Sequence, residues 1–296
     1  MERFLFTKLS MLIVIGLVLQ MHGYKGCLEK ERTALLEIKE LFLNSSSNID
    51  YGRVNSKLGS WVDDRVSNCC NWNRVECNTT TGRVINLSLV SILDYSSLSL
   101  HPILNFSMFQ PFEELQSLDL SYNYFEGWVD SRESLKQLKI LDLGCNNFNS
   151  SILPCVTRLT SLKTLILQYN NLEDFNTEQG LANLRNLKVL DLSYNFGLSG
   201  TLQGLGLANL KNLKFLDLSY TYGLNGTLQG LGAGLANLRN LEFLDLSYTY
   251  GLNGTLQGLG AGLANLRNLE FLDLRANRIN GTLQGLGNIY YDFTSN

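Results

Sequence analysis

The chain has 296 residues, of which 61 are leucine, 26 are glycine and 3 are proline. Its formal charge of -3 and its pI of about 5.5 provide no basic surface of the kind that binds nucleic acid. Its two histidines, His22 and His101, supply little acid–base or metal-binding chemistry. We therefore expect no enzymatic activity, no cofactor and no bound metal.

The first 23 residues have the pattern of a secretory signal peptide. Arg3 and Lys8 make the start basic, residues 11–19 are almost wholly apolar, and Gly23 is a small residue suited to cleavage. A membrane anchor would need about 18 or more consecutive apolar residues, and the run here is shorter. We predict that residues 1–23 are removed, that the mature chain enters the secretory pathway, and that it carries no anchor of its own.

Six cysteines follow the predicted cleavage site: Cys27, Cys69, Cys70, Cys77, Cys145 and Cys155. In an oxidising compartment, disulfides are the expected state, and the absence of a CxxC pair argues against zinc. A bond between the neighbours Cys69 and Cys70 would be strained. This leaves two cross-pairings open among the first four cysteines.

An amphipathic helix is predicted over residues 28–43. Its apolar positions are Ala34, Leu35, Ile38, Leu41 and Phe42, and the charged positions expected to face away are Glu29, Glu31, Glu37 and Lys39. We expect Trp61 and Trp72 to belong to the core of this small module rather than to a ligand site.

A repeated pattern, L-x-x-L-x-L-x-x-N, occupies the rest of the chain. It occurs at residues 115–123, 138–146, 162–170, 187–195, 213–221, 241–249 and 269–277, with Thr in the last position at 221 and 249, and residues 84–89 are predicted to form the first strand. The period widens from 23 to 28 residues, and residues 215–246 recur identically as 243–274. Each unit supplies a short strand with leucines facing inward, and stacked units share one core.

A polar residue closes each repeated strand and predicts a ladder of hydrogen bonds between turns. The ladder residues are Asn123, Asn146, Asn170, Asn195, Thr221, Thr249 and Asn277. An asparagine amide can bond backbone groups in its own turn and in the adjacent one, whereas threonine has a single hydroxyl. We expect the ladder to be weaker at the two threonines.

The chain resembles plant-type extracellular leucine-rich-repeat proteins. The resemblance rests on Cys27, residues 31–39 (ERTALLEIK), Trp61, residues 68–72 (NCCNW) and 81–84 (TGRV), and on return segments such as FEGWV, LNGTL and INGTL. The groups it resembles most are receptor-like proteins of the cell surface and polygalacturonase-inhibiting proteins. The resemblance implies an α/β repeat fold, namely a right-handed solenoid with a concave parallel β-sheet and a helical, disulfide-bonded N-terminal cap. The pairing Cys27–Cys69 with Cys70–Cys77, which we favour, agrees with these families.

The predicted organisation is a signal peptide at 1–23, a cap at 24–83, seven to eight repeats at 84–287 and an uncapped tail at 288–296. The chain departs from the family pattern in three ways: Gln replaces the usual Pro in the NGTLQ segments, neither a kinase nor a membrane helix follows, and the end has no cysteine-bearing cap. We expect either a fragment of a longer receptor or an end covered by something else.

Three rows of side chains are predicted to project from the concave side of the sheet. The aspartate row is Asp119, Asp142, Ile166, Asp191, Asp217, Asp245 and Asp273; the phenylalanine row is Phe215, Phe243 and Phe271; the tyrosine row is Tyr122, Tyr169, Tyr194, Tyr220 and Tyr248. For the aspartates we expect a solvated face of the kind the family consensus carries. The aromatic rows are favoured binding anchors, so they predict a ligand site that includes Asp217 and Asp245. Packing of the tyrosines edgewise on neighbouring repeats is an equally weighted alternative.

Eight N-x-[ST] sequons are candidate glycosylation sites. They begin at Asn44, Asn78, Asn86, Asn105, Asn149, Asn225, Asn253 and Asn280. The last three occupy equivalent positions on the return limbs, so glycans there would line one flank.

We expect no disulfide between Cys145 and Cys155, which are predicted to lie on opposite sides of a turn.

The leading hypothesis for function is non-enzymatic recognition at the cell surface, by the ligand-binding ectodomain of a receptor-like protein in defence or development. A peptide, glycan or protein would be the ligand, and a membrane co-receptor would be needed for signalling. The alternatives are a soluble, wall-associated inhibitor of pathogen glycanases and a non-functional truncated paralogue. The GLGAG segments match no nucleotide-binding motif, and no nucleic acid partner is expected.

Overall fold

The computed structural model describes residues 27–46, 51–64, 67–93, 102–129, 135–173, 181–200, 204–227, 234–255, 263, 265–280 and 290–292. The predicted signal peptide and His101 lie outside these residues. The α-helices with described bounds are α1 (Glu29–Ser45), α2 (Tyr51–Lys57) and α3 (Leu153–Val156), and residues 234–235 and 263 are also helical. Single turns of 3₁₀ helix occur at Cys69–Asn71, Phe106–Phe109, Ser150–Ile152 and Leu207–Asn209.

The strands are short and fall into three sheets. In chain order they are β1 (Val75–Cys77), β2 (Val84–Ser88), β3 (Ile103–Asn105), β4 (Ser117–Asp119), β5 (Gly127–Val129), β6 (Ile140–Asp142), β7 (Thr164–Ile166), β8 (Val189–Asp191), β9 (Ser199–Gly200), β10 (Phe215–Asp217), β11 (Gly223–Thr227), β12 (Phe243–Asp245), β13 (Gly251–Thr255), β14 (Phe271–Asp273), β15 (Arg278–Asn280) and β16 (Tyr290–Asp292). One strand per repeat builds the main sheet, and the return limbs build the two others.

The main sheet has ten strands in the order β1-β2-β4-β6-β7-β8-β10-β12-β14-β16. β1 is antiparallel to β2, and every later neighbour is parallel. This sheet forms the concave side of a leucine-rich-repeat solenoid. Tyr290–Asp292, within the segment expected to be a tail, pairs with β14 and extends the sheet.

The core of the solenoid is a column of leucines. The central leucine of each repeat is fully buried, at positions 118, 141, 165, 190, 216, 244 and 272. Burying a leucine side chain stabilises the fold by roughly 1.5–3 kcal/mol, and each repeat needs its neighbours to complete that burial. The return limbs contribute Phe125 and Phe148, whose buried rings stack with centroids 6.2 Å apart.

The N-terminal cap covers the first turn of this column. Ala34, Leu35, Ile38 and Phe42 of α1 are buried as the periodicity predicts. Phe42 contacts Phe125 of the solenoid edge-on at 5.9 Å. The cap core therefore continues directly into the repeats.

Glu31 contradicts the prediction that it faces solvent, because its side chain is completely buried. It pairs with the guanidinium of Arg83 at 3.2 Å and accepts from the backbone N–H of Val84 at 3.2 Å. Desolvation raises the pKa of this carboxyl, while the two contacts lower it. The helix thus uses one charged position to bond the first strand of the solenoid, which hydrophobic periodicity does not reveal.

Two disulfides and two tryptophans fix the rest of the cap. Cys27 is bonded to Cys69 and Cys70 to Cys77, with Cα atoms 5.8 and 5.5 Å apart, which confirms the pairing that the family resemblance favoured. Trp61 and Trp72 are buried and stack on each other at 5.9 Å. They belong to the cap core.

Candidate ligand-binding face

The register of the parallel strands aligns equivalent side chains of successive repeats. Phe215 pairs with Phe243 and Phe243 with Phe271, and two residues further along each strand the aspartates pair in the same way. Neighbouring strands lie about 4.8 Å apart. Each row on this face is therefore a continuous stripe of like side chains.

The tyrosine row lies where the chain leaves each strand. Its members have left-handed backbone conformations, with φ between 51° and 59°. A bulky residue in this region is strained. The row also includes Cys145 and Ala276, which have φ of 53° and 54°. The backbone geometry is thus a property of the repeat rather than of tyrosine.

The tyrosine rings stack face to face along four consecutive repeats. The centroids of Tyr169 and Tyr194 are 4.0 Å apart, those of Tyr194 and Tyr220 are 4.4 Å apart, and those of Tyr220 and Tyr248 are 4.4 Å apart, each pair inclined by 9°. The edgewise arrangement considered from the sequence is therefore wrong for these pairs, since the parallel register holds the rings above one another. Desolvation in the stack raises the pKa of Tyr220 to about 12.

Stacking does not hide the tyrosine row from solvent. Tyr122 is 50% exposed and Tyr169 is 45% exposed, while the three later members are half-buried. Tyr122 does not belong to the stack and instead shares a side-chain hydrogen bond with Cys145 in the next repeat. The row offers ring edges and hydroxyls to a ligand without needing to unstack.

The phenylalanine row forms a second stack. Phe215 and Phe243 lie 4.3 Å apart, and Phe243 and Phe271 lie 4.4 Å apart, with nearly parallel planes. All three are half-buried. The equivalent positions in the preceding repeats are Ile140, Thr164 and Val189, so this stack is confined to the later repeats.

A third aromatic row was not identified from the sequence. Phe196, Tyr222 and Tyr250 each follow a ladder residue directly, and they are 49%, 40% and 44% exposed. Phe196 and Tyr222 lie 5.2 Å apart, and Tyr222 and Tyr250 lie 5.0 Å apart. We call this the outer aromatic row. Its signal was the recurrence of an aromatic residue at one offset in three successive repeats.

The aspartate row lies between the phenylalanine and tyrosine rows and is only partly solvated, contrary to expectation. Burial raises the pKa of Asp142 and Asp217 to about 6, and neighbouring carboxylates add to the shift. Burial also raises the pKa of Asp191 and Asp245. Asp273 is almost completely buried and is bonded by Arg275 of its own repeat. Asp119 heads the row on β4, and Ile166 interrupts it on β7.

The ladder beneath this face is continuous at the asparagines. The amide of Asn146 donates to the carbonyls of Leu120, Leu143 and Gly144 at 2.9–3.1 Å, and its oxygen accepts from the N–H of Phe125 at 3.0 Å. Asn123, Asn170, Asn195 and Asn277 likewise donate to carbonyls in two turns.

The ladder is thinner at the threonines. Thr221 donates to Leu218 at 2.5 Å, and Thr249 donates to Leu246 at 2.9 Å, in each case within its own turn. Thr249 also contacts the amide oxygen of Asn277 at 2.6 Å. Among the described residues, neither hydroxyl reaches a carbonyl of the preceding turn, as each asparagine amide does.

The sequons differ in exposure. Asn44, Asn105, Asn149 and Asn253 are exposed, whereas Asn78 and Asn86 are half-buried. The amides of the last two donate to Glu114 and Glu76 respectively. Asn225 lies in β11 and Asn280 in β15, and these strands flank β13 in the return sheet.

Cys145 and Cys155 are half-buried, and neither forms a disulfide.

Two family models match the chain. The leucine rich repeat N-terminal domain matches residues 28–78, and the leucine rich repeat matches residues 137–159. Among curated proteins, Receptor like protein 21 of Arabidopsis thaliana is 42% identical over 216 residues, which cover 69% of this chain and 21% of that protein. The chain thus spans about a fifth of the length of the curated relatives that it matches.

Solved ectodomains show the same fold. The ectodomain of the plant membrane receptor kinase GASSHO1/SCHENGEN3 from Arabidopsis thaliana, in complex with CASPARIAN STRIP INTEGRITY FACTOR 2, is 27% identical with a TM-score of 0.60, covering 88% of this chain and 29% of that one. The plant peptide hormone receptor RGFR1, in complex with RGF2, is 26% identical with a TM-score of 0.54, covering 77% and 38%.

Within the described part of the chain, no helix is both long enough and apolar enough to cross a bilayer. The two matching family models, the cap disulfides and the parallel sheet all point to one class of protein. The chain has a leucine-rich-repeat fold with a leucine rich repeat N-terminal domain, and it is homologous to receptor-like proteins of Arabidopsis thaliana over part of their length.

Proposed function

We propose that this chain is a non-enzymatic recognition module, the ligand-binding part of the ectodomain of a cell-surface receptor-like protein that acts in defence or developmental signalling. The observation that carries the proposal is the concave face, where the register of the sheet aligns the phenylalanine and tyrosine rows, with the outer aromatic row beside the tyrosines, and all three rows remain partly exposed. Aromatic side chains are favoured anchors at interfaces because they bury a large area at little entropic cost.

Two solved structures with the same fold support this proposal. RGFR1 is a plant peptide hormone receptor whose structure contains RGF2, and the GASSHO1/SCHENGEN3 ectodomain is in complex with CASPARIAN STRIP INTEGRITY FACTOR 2. We infer that the present chain binds a peptide, glycan or protein ligand on its concave face. Signalling would require a membrane co-receptor, and delivery would follow removal of residues 1–23 in the secretory pathway.

The test is a selection of binders from a random 12-residue peptide display library against the secreted, glycosylated chain. Selected peptides are then titrated against wild type and the Tyr220→Ala/Tyr248→Ala double variant by fluorescence anisotropy. The variant should fold, because Ala276 occupies the equivalent left-handed position one repeat later. We expect at least a tenfold weaker affinity.

A matched control removes exposed apolar side chains from a different sheet. Ile103→Ala/Val129→Ala changes two residues of β3 and β5 that are 57% and 53% exposed. Its affinity should equal that of wild type. Unchanged affinity in the tyrosine variant would refute the site, and potent inhibition of a pathogen glycanase by the secreted chain would favour the soluble-inhibitor alternative instead.

A further inference from the structure

The aspartate row lacks counter-charges where the aromatic rows are densest. Asp191, Asp217 and Asp245 accept hydrogen bonds from the N–H groups of Ser193, Ser219 and Ser247 at 2.8–3.0 Å. Among the described residues, the one ion pair that reaches this row is made by Arg275 to Asp273. Asp191 and Asp217 therefore face the concave side without an ion pair among the described residues, and the charge of Arg275 acts on Asp245 only from the next repeat.

Their surroundings make this arrangement costly for the free protein. All three carboxylates are half-buried, and parallel register places them on adjacent strands about 4.8 Å apart. Desolvation and the charge of the neighbouring carboxylates raise the pKa of Asp217. A cation placed above the row would relieve both penalties at once.

The last described repeat shows how such a cation fits. Arg275 donates from Nε to both carboxylate oxygens of Asp273 at 3.1 and 2.9 Å, and from Nη2 to Oδ2 at 2.6 Å. Arg275 stands two residues after its aspartate, the position that Ser247 and Ser219 occupy in the preceding repeats. Those serines are small, buried and uncharged, so they do not neutralise Asp245 or Asp217 as Arg275 neutralises Asp273.

The flanking rings suit a cation as well as an apolar side chain. The phenylalanine stack lies on one side of the carboxylates and the tyrosine stack on the other. The ring faces are taken up by neighbouring rings. The exposed ring edges can pack against the aliphatic part of an arginine or lysine, and the tyrosine hydroxyls can accept a hydrogen bond from its charged end. Charge and shape thus favour the same kind of ligand.

We propose that the concave face from Asp191 to Asp245 binds a basic peptide segment, whose arginine or lysine side chains pair with the carboxylates between the two aromatic stacks. This inference rests on the proposed function and specifies its ligand. Asp191 and Asp245 are two strands apart, a separation of about 10 Å. A polyproline II segment repeats its side-chain direction every three residues, over about 9.3 Å, so basic residues at every third position match this spacing.

The test measures binding of labelled Ac-(Arg-Pro-Pro)₃-NH₂ to the secreted full chain by fluorescence anisotropy. The control peptide replaces each arginine by citrulline, which has nearly the same shape and no charge. We expect the citrulline peptide to bind at least tenfold more weakly. Equal binding of the two peptides would overturn the inference.

The protein variants separate a specific site from general attraction. Asp217→Asn/Asp245→Asn keeps an oxygen that can accept from Ser219 and Ser247, so the variant should fold and should weaken binding at least tenfold. Glu126→Gln/Glu173→Gln removes the same net charge from two exposed residues outside the aspartate row and should leave the affinity unchanged. Equal weakening in both variants, or none in the first, would contradict the proposal.

The display selection distinguishes failure of this inference from failure of the proposed function. Selected peptides that depend on Tyr220 and Tyr248 but contain no excess of arginine or lysine would refute the basic ligand and leave the recognition face intact. Binding of the arginine peptide that survives every concave-face variant would refute both.

Discussion

The repeats before residue 172 and those after residue 187 share one sheet, but they are held together differently. In the first region, buried amides such as Asn146 and Asn170 bond carbonyls in two turns. In the second, Thr221 and Thr249 replace two of these amides, and face-to-face aromatic stacks connect the repeats instead. The tyrosine stack begins one repeat earlier, between Tyr169 and Tyr194, where the ladder is still complete, and it continues through the repeats in which the ladder thins. Its partly exposed side chains are available to a ligand.

The largest effect is expected from breaking the ladder in the first region. Asn146→Ala removes three donated bonds and leaves buried carbonyls and N–H groups without a partner. We expect the free energy of unfolding to fall by about 3 kcal/mol. Chemical denaturation of Asn146→Ala and of the exposed control Asn171→Ala measures this; equal stability of the two variants would show that the ladder carries little of the fold.

A smaller effect is expected from neutralising the aspartate row in the second region. Asp217 has a folded-state pKa of about 6, above its ordinary value, so ionisation favours the unfolded chain. The penalty is fully present above pH 6 and disappears as the pH falls below the unfolded pKa of about 3.9. Asp217→Asn should therefore raise stability at pH 7 by about 1–2 kcal/mol, after allowance for solvent screening.

Thermal unfolding of Asp217→Asn and wild type between pH 4 and pH 7 checks this sign. The two curves should converge near pH 4 and separate as the pH rises. A variant that is less stable than wild type at pH 7 would mean that the carboxylate is stabilised where it lies. The opposite changes expected in stability and in binding of basic peptides would mark Asp217 as a residue kept for recognition.

The smallest effect is expected from replacing a threonine of the ladder by asparagine, which tests the difference between the two kinds of ladder residue. Thr221→Asn should restore a donor to the carbonyl of Leu192, as Asn195 donates to Leu167 at 2.9 Å in the preceding repeat. We expect a gain of about 1 kcal/mol in the free energy of unfolding. Urea denaturation of this variant beside Thr221→Ser is the measurement, and a loss of stability in the asparagine variant would show that the turn is shaped for threonine.

The sequence predicts the parts of this structure that follow from a repeat. The period places every central leucine in the core and the strand that carries it in the main sheet, because each unit can bury its apolar side only against its neighbours. The family resemblance supplies the disulfide pairing. These features depend on pattern alone, and they were predicted residue by residue.

Other features depend on contacts that no pattern reveals. Glu31 is buried because Arg83 lies opposite it, 52 residues away in the sequence. The tyrosines stack face to face because the strands are in exact parallel register, which the spacing alone does not fix. The raised pKa values in the aspartate row require knowledge of burial and of the neighbouring carboxylates. The sequence therefore predicted which residues belong to each row. The structure was needed for the stacking of the rings and for the raised pKa values of the aspartates.

The central claim is that ligands bind the concave face through its aromatic rows. The most direct measurement is the affinity of a display-selected peptide for wild type, for Tyr220→Ala/Tyr248→Ala and for Ile103→Ala/Val129→Ala. The account predicts at least a tenfold loss in the tyrosine variant alone. Equal affinity in all three proteins would place the recognition surface elsewhere and contradict the account.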